Sequence, residues 1–291
     1  MLMAALSGQP AACLGANDTS ALVTGNTAFA FDLYARLKGA QGNLFFAPYS
    51  ISTCLAMTYD GARGSTATQM ARTLHFDADQ ARLAASFGEL QRQLGQIERA
   101  GKVELNVANG LWAQQGHPFL PAFLNDASNT YQAKLEQADF RTAAEPARAA
   151  INQWVSDQTR GKITNLLPPG VVDPATRLVL VNAIYFKGQW AHPFDKGHTS
   201  PAPFTVTPER KVQAPLMNQT ANFQYAEPEG LQLLAMPYGG DDLSMVVLLP
   251  RTVDGLPGLE ARLNAQTLAN WLASAHDQKV NVFLPRFKLT A

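Results

Sequence analysis

Apolar residues in the first hundred positions recur at three- and four-residue intervals, which predicts amphipathic helices. The clearest stripe comprises Leu83, Phe87, Leu90, Leu94 and Ile97. Earlier helices are predicted over about 26–38, after Pro48, and after Thr66, which forms a capping box with Gln69. A short apolar run at 43–46 predicts a strand between the first two of these helices.

The pattern changes after residue 102, where apolar and polar residues begin to alternate. This predicts a strand over 103–107 with one solvent-facing side, extended by 111–114. Helices are predicted at Pro121 and after Pro146. The remainder reads as strands at 202–207, 211–217, 221–226, 231–236, 243–249 and from 279, interrupted by helices at 256–263 and 266–273. Helices followed by strands, without regular alternation, indicate an α+β fold.

The most apolar segment, RLVLVNAIYFKGQW at 177–190, carries a polar amide in its middle. The runs 178–181 and 183–186 predict a strand buried on both faces, and Asn182 separates them. An asparagine side chain has four hydrogen-bonding positions, so its burial requires partners. Taken alone, such a residue is more often a bulge or edge position than a switch.

Composition excludes several classes of partner. Among 291 residues, Lys plus Arg and Asp plus Glu number 23 each, so charge gives no argument for nucleic acid or an anionic membrane. No apolar run reaches the length of a membrane span. The two cysteines, Cys13 and Cys54, provide neither a disulfide framework nor a cysteine-based zinc site.

Motifs for catalysis and cofactor binding are not found in the sequence. None of the five histidines stands in a metal-binding pattern. There is no G-x-S-x-G elbow, phosphate-binding glycine loop or dinucleotide fingerprint. The helical stripe at 83–97 has acidic as well as basic neighbours, so it lacks a basic run for sulfated polysaccharide. We therefore expect no metal, no cofactor and no enzymatic activity.

A series of longer motifs resembles the serpins, in the serpin order, over about residues 24–291. The motifs are NLFFAPYSISTCLAMTYDGARGSTATQMARTLHF, ANGLWAQ, INQWVSDQTRGKITNLLPPG, LVLVNAIYFKGQW, MNQTANFQYAE, MPYGGDDLSMVVLLP and LPRFKLTA. The resemblance implies a serpin fold of three β-sheets with eight to nine helices. It also implies a monomeric inhibitor of a serine-type protease, acting without nucleic acid or membrane. In serpins a cut reactive loop inserts into a metastable main sheet and carries the acylated protease with it.

The resemblance also assigns roles to individual residues. Asn182 matches an asparagine of the shutter, the region beside the gap into which the loop inserts, and Ser50 matches a serine bonded to it. A second serine of the family is replaced here by Ala47. Lys187, Gly188 and Trp190 match the upper end of the same strand, where the loop first enters. Without the family match, Ser50 reads as a helix cap and Trp190 as a core aromatic residue.

The family order places the fifth main-sheet strand, the hinge and the reactive loop after Ala291, so we predict a truncated domain. Either a longer gene product or a natural carboxyl-terminal loss would account for this. Missing core strands predict that these 291 residues alone are poorly stable or aggregation-prone. A single cooperative, soluble melting transition would contradict this.

Further expectations concern the ends of the chain, its source and its location. Residues 1–23 are predicted to be a flexible tail or leader remnant, followed by an incomplete serpin domain at 24–291. High Ala and Gln content suggests a bacterial source, and the family suggests an extracellular or cell-envelope location. The alternative function is a non-inhibitory serpin that binds a ligand or acts like a chaperone, or an inactive fragment. The hinge of the reactive loop would distinguish an inhibitor from these alternatives, because small residues at the hinge permit insertion of the loop.

Overall fold

The structure is a computed structural model that describes residues 2–6, 19–77 and 79–288. The helices are α1 (Ser20–Leu37), α2 (Pro48–Gly61), α3 (Gly64–Leu74), α4 (Gln80–Arg99), α5 (Pro121–Asn129), α6 (Phe140–Gln158), α7 (Leu256–Arg262) and α8 (Ala265–Ala273). The strands are β1 (Leu2–Leu6), β2 (Val103–Gln114), β3 (Lys134–Ala138), β4 (Leu178–Gly188), β5 (Thr199–Thr207), β6 (Arg210–Ala226), β7 (Leu231–Pro237), β8 (Leu243–Pro250) and β9 (His276–Pro285).

The chain divides into two compact units, each with its own sheet. The strand-rich unit comprises residues 1–13, 31–46 and 188–291, and the helix-rich unit comprises 14–30 and 47–187. This mixture of helices and sheets confirms the predicted α+β class.

In the strand-rich unit, one long strand joins two parts of the sheet. The strand order is β1-β8-β7-β6-β5, and β9 also pairs with β6. β6 has 17 residues; it pairs with β5 and β9 along most of its length and with β7 only at 224–226. The separate strands predicted at 211–217 and 221–226 are therefore one strand. Because β6 pairs with β5 and β9 as well as with β7, all of these strands belong to one sheet in the described part of the chain and do not form two separate sheets.

The helix-rich unit contains a three-stranded sheet in the order β3-β2-β4. β2 and β3 are parallel, with Gly110 opposite Lys134. The apolar face of α6 covers this sheet in a cluster that comprises Trp112, Phe140, Ile151, Val155, Val172, Val181 and Ala183. Residues 108–114 of β2 are all buried, so the predicted solvent-facing side is found only in its first half.

The prediction that 178–181 is buried on both faces is wrong. Within β4 only Val181 and Ala183 are buried, and the other residues are half-buried or exposed. β4 lies at the edge of its sheet, and the described residues place no strand on its outer side. An apolar run therefore does not by itself place a strand in the interior of a sheet.

Several predicted boundaries also differ. Residues 43–46 form no strand, and Phe45 is exposed. The capping box at Thr66 is wrong, because α3 already begins at Gly64 and its N-cap, Arg63, makes no side-chain cap bond. Helix α1 begins inside the predicted 1–23 tail, and the backbone of β1 pairs with β8. The rest of that tail, residues 7–18, lies outside the described residues.

Helix α6 begins earlier than Pro146 predicts. The carboxylate of Asp139 accepts hydrogen bonds from the backbone N–H groups of Arg141 and Thr142 and so caps the helix. Pro146 lies within the helix, and Ala143 departs from helical geometry three residues before it. The helix therefore begins at the Asp139 cap, upstream of Pro146, and it has a local kink between these two residues.

Candidate functional site

The buried amide of β4 is bonded to a second amide on β2. Nδ2 of Asn182 donates a hydrogen bond to Oδ1 of Asn109, at 2.7 Å. Nδ2 of Asn109 in turn donates to the backbone carbonyl of Tyr131, also at 2.7 Å. Asn109 is only 4% exposed, so this short polar chain lies inside the helix-rich unit. We call Asn182 and Asn109 the amide pair.

One acceptor of the amide pair has no partner. The Oδ1 atom of Asn182 is buried and unbonded within the described residues, and so is Oγ of Ser52 on α2. An unsatisfied buried polar atom costs free energy, and it can accept a hydrogen bond in another conformation without breaking one first. The amide pair therefore has the chemistry of a polar switch, and that role stays a prediction.

Helix α2 also contacts Asn182 through a thiol. The Cys54 sulfur forms a hydrogen bond with the backbone of Asn182. Burial raises the pKa of the Cys54 thiol to about 12, and this hydrogen bond only partly opposes the rise. The thiol is thus neutral at physiological pH and acts as a packing contact between α2 and β4.

The predicted serine partner of Asn182 is replaced by Asn109. Ser50 lies in the first turn of α2, but the described residues show no hydrogen bond between it and Asn182. Ser50 is not the helix cap either, because Ala47 occupies the N-cap position without a side-chain bond. Asn109 was missed, although it also interrupts a run of apolar residues, in the motif ANGLWAQ.

Lys187 belongs to an exposed charged cluster. Its Nζ lies 2.9 Å from Oε1 of Glu104 on β2, and Arg160, just after α6, also pairs with Glu104. The guanidinium of Arg160 lies 5.0 Å from the ring centre of Tyr185. The hydrogen bond from Lys187 and the charge of Arg160 hold the pKa of Glu104 below its usual range, although desolvation acts in the opposite direction. The cluster links α6, β2 and β4, but solvent weakens each pair.

Gly188 and Trp190 fall in the strand-rich unit. Trp190 forms an isolated bridge with Tyr238, and the two rings stack with centres 4.6 Å apart. Phe194 meets the same indole edge-on. Trp190 also packs against a buried cluster that includes Phe223 and Met236, so the structure gives it a core contact, and its role where the loop enters stays a prediction.

The described residues contain no group of three or more potential metal ligands. None of the described helices is long and apolar enough to cross a membrane. An open cavity of about 440 Å³ lies between β3 and α6, against the edge-on rings of Trp112 and Trp154. Its lining includes Lys134, Glu136 and Asp139, and neither serine, cysteine nor histidine.

Sequence comparison identifies the family. The family described as Serpin (serine protease inhibitor) matches residues 24–291. The chain belongs to the serpin family. Human leukocyte elastase inhibitor is 41% identical over 278 residues, covering 92% of this chain and 73% of that protein. Leukocyte elastase inhibitor of Xenopus laevis is 40% identical over 271 residues, covering 90% of this chain and 71% of that protein.

Solved serpin structures confirm the fold. Emu ovalbumin superposes with a TM-score of 0.88 at 34% identity, covering 93% of this chain and 74% of that one. A structure named cleaved Serpin 42Da gives a TM-score of 0.86 at 35% identity, covering 93% of this chain and 73% of that one. The two leukocyte elastase inhibitors above are vertebrate proteins, so they do not support a bacterial source.

Proposed function

We propose that the full-length protein inhibits serine proteases of the elastase type. The likeness to human leukocyte elastase inhibitor carries this proposal, since it reaches 41% identity and covers nearly the whole chain. We infer that the inhibitor is cut in a reactive loop, which then adds to the main sheet while the protease remains acylated. We also propose that it acts as a monomer, outside the cell or in the cell envelope, and is not itself an enzyme.

The edge of β4 supports the insertion step. β4 pairs with β2 on one side, and the described residues place no strand along its other side. Free backbone N–H and C=O groups on such an edge can pair with an added strand. The amide pair lies on the same strand, with one acceptor of Asn182 unbonded. We propose that an inserting or neighbouring strand supplies the donor.

A non-inhibitory binding protein is the second candidate. The structure named reactive loop cleaved human Thyroxine Binding Globulin has a TM-score of 0.84 at 31% identity, covering 92% of this chain and 80% of that one. That name shows that a binding protein can share this fold. The expected difference lies in the hinge of the reactive loop, where bulky or charged residues would prevent insertion.

Incubation of the full-length protein with serine proteases tests the proposal. An inhibitor is expected to give an SDS-resistant band at the summed mass of protein and protease, with loss of protease activity at about one inhibitor per enzyme. Neutrophil elastase, a chymotrypsin-like protease and a trypsin-like protease should be compared, because the residue at the scissile bond sets selectivity. Protease whose active-site serine has been blocked is the control and should form no such band.

The other outcomes separate the alternatives. Cleavage of the loop without a stable complex would identify a substrate and contradict inhibition. Absence of both cleavage and complex with all three proteases would favour the binding protein.

A further inference from the structure

An acidic side chain is buried at the end of α2. Both carboxylate oxygens of Asp60 are inaccessible to solvent and have no hydrogen-bond partner among the described residues. The hydroxyl of Tyr131, which follows α5, is likewise buried. It lies close enough to the Asp60 carboxylate to stabilise its charged form, although the two groups do not meet in good hydrogen-bond geometry, so these three oxygens form one enclosed polar cluster.

The nearby cation does not neutralise Asp60. The Nη1 atom of Arg63 donates to the backbone carbonyls of Asp60 and Ala62 and to Oε1 of Gln80. Its guanidinium is therefore engaged by oxygens other than the carboxylate. Besides Tyr131 and Arg63, the charged group that acts on Asp60 is Asp126 of α5, which repels a charged Asp60; among the described residues no group of α3 does so, and Gln80 of α4 is neutral.

Asp60 is thus placed to bind a proton near neutral pH. Burial raises its pKa to about 7; the Tyr131 hydroxyl and Arg63 lower the value, and Asp126 raises it further. Burial and Asp60 also raise the pKa of Tyr131, so the phenol stays protonated. Since the folded pKa of Asp60 exceeds that of an unfolded carboxyl, its effect on stability is unfavourable and grows as pH rises from about 4 to 7.

Tyr131 connects this cluster to the amide pair. Its ring is 1% exposed and lies against Phe87, at 5.7 Å between ring centres. Its backbone carbonyl accepts the hydrogen bond from Asn109, which in turn accepts one from Asn182. A shift of Tyr131 that follows charging of Asp60 would therefore alter the position of Asn109 and the support of β4.

We propose that Asp60 is a proton-operated control of the sheet edge: neutral Asp60 fits its enclosed site beside Tyr131, whereas charged Asp60 favours an arrangement in which the site opens to water and the support of the amide pair is weakened. Raising the pH then favours opening beside β4. The consequence for protease inhibition rests on the proposed function, whereas the effect on the sheet does not.

Thermal unfolding of the full-length protein between pH 5 and 8.5 tests the proposal. We expect the wild-type midpoint to fall relative to Asp60→Asn as pH rises, by about 5 °C between pH 5 and 8. Subtracting the midpoints of Asp60→Asn from those of the wild type cancels the contribution of the other titrating groups. Tyr131→Phe should shift the pH-dependent fall in the midpoint to higher pH, because it removes the hydroxyl that lowers the pKa of Asp60. Asp126→Asn is the matched control and should retain this fall, displaced to lower pH.

Hydrogen exchange at 103–114 and 178–188 provides the second readout. After correction for intrinsic rates, protection in the wild type should decrease at least threefold between pH 6 and 8, and it should stay constant in Asp60→Asn. If Asp60→Asn does not fold, Asp60→Leu replaces it. A flat difference curve, or equal loss of protection in both proteins, would overturn the proposal. Neither readout involves a protease, so failure of inhibition leaves this test intact.

Discussion

Replacing Asn109 by alanine is expected to lower the free energy of unfolding by about 2–5 kcal/mol. The substitution removes the acceptor of Asn182 and the donor to the Tyr131 carbonyl in one step. Each buried polar group left without a partner costs about 1–3 kcal/mol. Asn109 is buried, so water cannot readily replace the lost hydrogen bonds.

Urea unfolding of Asn109→Ala, Asn182→Ala and the double variant measures this effect. The two single changes share one hydrogen bond, so their sum should exceed the effect of the double variant by at least about 0.5 kcal/mol. Asn106→Ala is the matched control on the same strand, because Asn106 is half-buried and donates to the backbone carbonyl of Gln158, the last residue of α6. An Asn109→Ala variant as stable as Asn106→Ala would contradict the structural role of the amide pair.

Replacing Phe140 by alanine is expected to cost about 3–5 kcal/mol of unfolding free energy. Phe140 is 0% exposed and packs in the cluster that joins α6 to β2 and β4. Its backbone N–H also donates to Oε1 of Gln114, at 2.8 Å, and this bond fixes the start of α6. Loss of the ring leaves a cavity under the first turn of the helix.

Phe45→Ala provides the comparison for this prediction. Phe45 is 64% exposed, so the same truncation should change stability by no more than about 0.5 kcal/mol. Both variants should be unfolded in urea at constant pH, since Asp60 makes stability pH-dependent. Similar losses for the two phenylalanines would show that burial at Phe140 does not govern the stability of α6.

The elements that the sequence predicted well are those whose evidence is local. The stripe at 83–97 gave α4, and the prolines at 48 and 121 mark the starts of α2 and α5. Helices predicted at 256–263 and 266–273 correspond to α7 and α8. Periodicity and capping act within a few residues, so they survive in any tertiary context. The order of the serpin motifs likewise identified the family.

Predictions from local sequence were wrong where a distant contact, or a stronger signal nearby, set the boundaries of a helix or strand. Residues 43–46 are apolar but pair with no strand in the described structure. Pro146 predicted a helix start, and the carboxylate of Asp139 moved that start upstream. β6 appears as two strands in the sequence because its pattern weakens at 218–220, yet pairing with β9 continues through that interval.

The sequence by itself determined that Asn182 stands in an apolar strand and needs a partner, and that the chain is a serpin. Only the tertiary structure decided that the partner is Asn109, 73 residues away, and that β4 is an edge strand. It also decided that Asp60 is enclosed with Tyr131 while the neighbouring Arg63 is engaged elsewhere. The physical reason is that hydrogen-bond partners and desolvation depend on which distant segments pack together, and no local pattern encodes that choice.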